Sequence, residues 1–154
     1  MRPQTTPERP GPHDVAEAAR QFLVTIGLRG DPEFRAGFGA DAAWFGHLIR
    51  AKGTTVQSIV DLAAFEAANN PDKGEVDSNP YGLATDPVRA VSSKWTLVTD
   101  AGGNDLLSVS NAGNVGVVAV FPDRAVDSRS RVFRCRRCRP RSPWGPMVRR
   151  MSAS

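Results

Sequence analysis

Cysteine and histidine are scarce in this chain, with two of each in 154 residues. Cys135 and Cys138 form a single CxxC inside RCRRCRP, whereas a structural zinc site needs four ligands, from two such pairs or from one pair plus spaced histidines. His13 and His47 lie far upstream and lack that spacing. A redox CxxC would need a strand before it and an apolar-faced helix after it, and the flanking arginines and prolines offer neither. Zinc and redox chemistry are therefore set aside. Long apolar runs are also missing: none approaches the ~18–20 residues of a membrane-spanning helix. The opening MRPQTTPERPGP has arginines but no apolar core behind them, so it does not read as a secretory signal, and the expected location is the cytoplasm. Acidic residues stop at Asp127.

That last absence divides the chain. Residues 1–128 carry sixteen acidic and eleven basic side chains, a balance of −5, while residues 129–154 carry nine arginines and no acid, +9. The sequence pI of 9.7 therefore reports the tail and not the body. Residues 1–10 and the Arg-rich stretch 125–154 are expected to be disordered. A basic arm on an acidic body occurs in nucleic-acid binders, and also arises from translation of the wrong frame of a GC-rich gene. Arg134, Arg136, Arg137, Arg139 and Arg141 are the candidate phosphate contacts. With only Phe133 and Trp144 available for stacking, such binding would be non-specific and salt-dependent.

The body says similar things twice. GPHDVA (11–16), QFLVTIGL (21–28) and GHLIRAKGTTVQSIVDLAAF (46–65) are followed in the same order by NPYGLA (79–84), KWTLVTDAGG (94–103) and NDLLSVSNAGNVGVVAVFP (104–122). Pro12 aligns with Pro80, Leu23-Val24-Thr25 with Leu97-Val98-Thr99, and His47-Leu48-Ile49 with Asp105-Leu106-Leu107. The pieces are short, apolar and β-branched, bounded by Gly, Pro, Asn and Asp, so they read as strands. AKGT and NAGN sit where hairpin turns belong. Each unit thus predicts a four-stranded antiparallel meander, the signature of propeller blades. The expected fold is all-β: about two such blades, at 11–65 and 79–124, with short helical insertions, a polar linker at 66–78 and a disordered basic tail. One insertion, 29–46, reads as a loop with a short helix. In the other, Asp61 caps a helix through about Ala68, which Asn69-Asn70-Pro71 end.

DLAAFEAANNPDKGEVDSNPYGLA, followed by LVTDAGGNDLLSVSNAGNVGVVAVFP, resembles the ScyD/ScyE family of bacterial proteins, and GPHDVA with VTIGLRGDPEFRAGFG is similar to the preceding blade of that family. The resemblance spans roughly residues 10–124. It implies a β-propeller of the NHL and SMP-30-like repeat group, in a family whose members are longer and usually exported, and most of which have no established activity. Two blades without an export signal make the expectation a truncated or frameshifted copy, unstable or aggregating alone unless it self-associates to complete a ring. TDPVRAVSSKW (85–95) departs from the pattern by lacking a glycine-rich turn.

SMP-30-like members bind a divalent metal with Glu, Asp and Asn, so the resemblance makes Asp77, Asn79, Asp100, Asn104 and Asp105 candidate ligands for an ion such as Ca2+. Asn79 and Asn104 are also turn residues by type, and Asp100 at a strand end can bond nearby backbone N–H groups. His13 and His47 are candidate bases, yet no Ser-His-Asp or Cys-His set is recognisable along the chain, and no catalytic residue is assigned. DAGGND is too short for a phosphate loop and leads into a strand. Phe65, Tyr81, Trp95 and Phe121 are expected in packing roles. Three functions remain: a non-catalytic binding or scaffold module, which the sequence favours; a fragment of a metal-dependent hydrolase or lactonase; and a non-specific nucleic-acid binder acting through the tail.

Overall fold

Several strand-forming runs of the body end at glycine turns, and a computed structural model describes residues 10–18, 20–85 and 95–122. The CxxC, the tail arginines and residues 86–94 of the divergent stretch lie outside the described residues. Strands β1 (Gly11–Ala18), β2 (Gln21–Gly27), β3 (His47–Lys52) and β4 (Thr55–Asp61) form one antiparallel sheet in chain order. Strands β5 (Pro80–Ala84), β6 (Trp95–Asp100), β7 (Asp105–Ser110) and β8 (Val115–Val120) form a second. Gly53 (φ +58°) and Gly113 (φ +85°) make the β3–β4 and β7–β8 turns in the left-handed region that a Cβ disfavours.

The two sheets share their irregularities. A bulge interrupts β1–β2 between Pro12 and Asp14, and another interrupts β5–β6 between Pro80 and Gly82. The next bulge falls between Leu48 and Ile49 in the first sheet and between Leu106 and Leu107 in the second. Thr25 pairs with Leu48 as Thr99 pairs with Leu106. A bulge shifts which side chains face which side, so matched bulges keep the faces in correspondence.

Equivalent faces are not equally covered. In the first sheet Asp14, Leu23, Thr25, Leu48 and Arg50 share one face, because cross-strand partners point the same way. That face meets the second sheet: Thr25 Oγ1 donates to Tyr81 O (3.0 Å), Leu83 N to Asp14 Oδ2 (2.9 Å) and an Arg50 guanidinium N–H to Asn111 O (3.3 Å). The second sheet offers its opposite face, on which Val98, Leu107 and Val109 are buried against Leu23, Leu48 and Leu62 in one core. Leu97, register equivalent of the buried Leu23, is consequently 39% exposed, with Thr99 beside it. The other side of the first sheet is open at Phe22 (52% exposed), while Val24 beside it is half-buried and Ile26 and Ile49 on the same side are buried. Of the four aromatics expected to pack, only Phe65 meets the core. Tyr81, Trp95 and Phe121 are about half exposed.

Two helices interrupt the first unit. α1 (Pro32–Ala36) starts at Asp31, whose carboxyl accepts from Phe34 N (2.7 Å). α2 (Leu62–Asn69) is an alanine-rich run capped by Asp61, which accepts from Ala64 N (3.0 Å), and it ends on Asn70 in the left-handed region before Pro71. α2 thus reaches into the stretch expected as a linker. It buries Leu62, Ala63 and Glu66, so one face carries a carboxyl inward beside aliphatic groups.

Candidate functional site

Acidic side chains converge where α2, the following loop and the β6–β7 turn meet. Asp100 ends β6 directly across from Asp105, which opens β7. Asp100 is buried and fully engaged. Its Oδ1 accepts from the backbone N–H groups of Asn79 (2.6 Å), Gly102 (3.0 Å) and Gly103 (3.2 Å), and its Oδ2 from Ser78 Oγ (2.6 Å). It fixes the turn to the β5 approach, a use that a short carboxyl at a strand end serves well. Asp72 is similarly engaged, accepting from Gly74 N (2.8 Å) and Asn104 Nδ2 (3.0 Å).

Asp105 and Glu66 are not so served. Asp105 is 1% exposed, and neither of its carboxyl oxygens has a hydrogen-bond partner among the described residues. Glu66 is 2% exposed, and its Oε1 has none. Gly103 leaves room for the Glu66 head, since a Cβ there would lie 2.9 Å from Oε2. Burial, followed by the fields of Asp100, Glu66 and Asp72, pushes Asp105 up to about 7. Burial, then Asp100, Asp72 and Asp77, pushes Glu66 up to about 7 as well. Asp77 is raised too, chiefly by burial and by Asp100, with Arg29 opposing. The Oδ1 atoms of Asp77 and Asn79 are also buried without partners.

The structure therefore sorts the five candidate oxygen ligands. Asp100 and Asn104 hold other groups in the protein, whereas Asp77, Asn79 and Asp105 keep unpartnered oxygens. Asn79 lies toward β2, where a Cβ on Gly27 would meet its Oδ1 at 2.5 Å. Glu66 was not among the five. The sequence signal for it is its position four residues after Leu62, which puts a charge on the face that the helix buries. Among the described residues, no group of three or more His, Cys, Asp or Glu side chains is set closely enough to form a ready metal cage.

The histidines have identifiable roles. His13 Nδ1 lies 3.2 Å from Pro80 O, with its ring 4.8 Å from that of Tyr81, inside the sheet–sheet contact. His47 stands between Ser58 Oγ (2.7 Å from Nδ1) and Asp61 Oδ2 (3.3 Å from Nε2), an order that spacing along the chain does not reveal. It is the order of a nucleophile relay, but Asp61 is committed elsewhere. Both its oxygens accept from the Arg35 guanidinium (2.9 and 2.6 Å), and one also caps α2. Burial disfavours the charged form of Asp61. Hydrogen bonds from His47, Arg35 and Ala64 N outweigh that cost and hold the carboxyl well below its usual range. The group clasps α1, the β3–β4 hairpin and α2 together.

No helix among the described residues is long and apolar enough to cross a membrane. No protein-family model matches the chain, and no curated protein or solved structure is significantly similar to it.

Proposed function

We propose that the chain is a non-catalytic binding or scaffold module of propeller type, as the resemblance to the ScyD/ScyE family suggests, and that it associates head to tail with further copies. The correspondence of faces carries this reading. The first sheet receives the second on the face of Asp14, Leu23, Thr25 and Leu48, and the equivalent face of the second sheet, with Gly82, Leu97, Thr99 and Leu106, is open. It forms a shallow apolar groove of about 250 Å³. The complementary surface on the first sheet is open at Phe22, with Val24 beside it half-buried. A second copy can therefore repeat between chains the contact already made within one, which is heterologous association.

Two blocked variants test it, with the full chain treated with nuclease and kept in high salt so that tail-bound nucleic acid cannot bridge copies. Wild type should be oligomeric by light scattering, whereas Leu97→Arg and Phe22→Arg should each lower the mass. Each variant keeps one good face, so an equimolar mixture should yield a one-to-one dimer. A monodisperse wild-type monomer with a cooperative melt overturns the reading. So does a mixture that stays monomeric.

A further inference from the structure

We propose that Glu66 and Asp105 together hold a hard divalent cation, Mg2+ or Ca2+, at the junction of α2 with the β6–β7 turn. The inference does not depend on self-association. Both side chains are at least nine-tenths buried, and between them they present three oxygens with no donor. A buried acceptor normally has a partner. Among the described residues no donor reaches these oxygens, and the charged groups acting on the pair are carboxyls: Asp100, Asp72 and, for Glu66, Asp77. Asp100 and Asp72 already have their own donors. Without a cation the pair is relieved only by holding protons, and a cation would satisfy the same oxygens in their place.

Oxygen donors alone suit a hard cation rather than zinc or copper, which favour nitrogen and sulfur. With no cage of three such side chains among the described residues, the site is a two-carboxylate one, and its remaining coordination positions fall to neutral oxygens. Magnesium is commonly held by one or two carboxylates with retained water. Gly103 is part of the arrangement, since any larger residue would press on Glu66 Oε2. Of the ligands that the family resemblance suggests, only Asp105 belongs to this pair.

The test uses the full chain, freed of cations with EDTA and then titrated separately with MgCl2 and CaCl2. Isothermal titration and native mass spectrometry should find one ion per chain, with a cation-dependent rise in melting temperature. Glu66→Gln and Asp105→Asn should each weaken binding by more than about tenfold and remove the rise. The exposed neighbour Glu75→Gln should do neither. Without cations, both amide variants should melt above wild type, because each removes one uncompensated carboxyl. No binding up to about 10 mM, ten times the weakest class of protein calcium site, overturns the proposal. Binding that both amide variants leave unchanged overturns it equally. If one amide variant fails to fold, the other and the ion count of wild type still decide.

Discussion

Removing the Asp61 carboxyl should cost more than any one of its contacts suggests, and the cost can be divided. Asp61 caps α2 through Ala64 N and takes a bidentate ion pair from Arg35. A lost N-cap costs about 1 kcal/mol. Breaking a fully buried pair costs roughly 3–5 kcal/mol. The side chains here are 17% and 26% exposed, so solvent screening brings that component down to about 2 kcal/mol. Asp61→Ala should therefore lose about 3 kcal/mol in urea unfolding at fixed chain concentration. Asp61→Ser, which retains a capping oxygen, should lose about 2 kcal/mol. A double-mutant cycle with Arg35→Ala should return a coupling of about 1.5 kcal/mol. Since the folded carboxyl titrates below its unfolded value, its contribution is fully present above about pH 4 and disappears as pH falls further. The gap between wild type and Asp61→Ser should close on acidification. Equal losses for the alanine and serine variants would remove the capping argument, and coupling below about 0.5 kcal/mol would remove the ion pair.

Gly46 has φ +78°, and a Cβ there would lie 2.8 Å from the Ala63 Cβ, so Gly46→Ala should cost about 2 kcal/mol and speed hydrogen exchange at Leu62 and Ala63, whose amides donate to Gly46 O. Gly53→Ala, with φ +58° but open space around it, should cost only about 1 kcal/mol in the same urea assay. Asp100→Ala strands three backbone N–H groups and the Ser78 hydroxyl, and should cost more than about 3 kcal/mol, against about 1 kcal/mol for Ser78→Ala. In chelator, the raised values of Glu66 and Asp105 mean that the folded state holds protons the unfolded state has released. Stability should therefore fall as pH rises from about 4 through 7, and a melting temperature flat over that range would contradict the burial of the pair.

What could be read in the sequence was local. Strand-forming runs, glycine turns, the Asp61 cap and the Asn70-Pro71 stop are each set by neighbours a few residues away, and each is where the sequence puts it. The covering of a face is not local. Leu23 and Leu97 occupy equivalent register positions, yet one is buried and the other open, because the outcome depends on which side of a sheet receives a neighbour. The same limit hid the exposure of Tyr81, Trp95 and Phe121. Glu66 was partly legible, since a helical reading puts it on the face of Leu62. Its unpartnered state was not, because Ser78 and Asn79, which donate to Asp100, and Asn104, which donates to Asp72, come from segments distant in the chain. The Ser58–His47–Asp61 contact likewise needs the β3–β4 pairing, which carries Ser58 back beside His47.

The matched bulges also constrain stoichiometry. The described residues bring two sheets whose faces run in the same sense, so under the proposed head-to-tail association a closed ring would contain an even number of these sheets whatever its size. An odd-numbered ring would have to leave one sheet out, with its apolar face unmatched. Where the rotation between successive sheets does not bring an even count back to its start, the same contact has no natural end and the product is a filament.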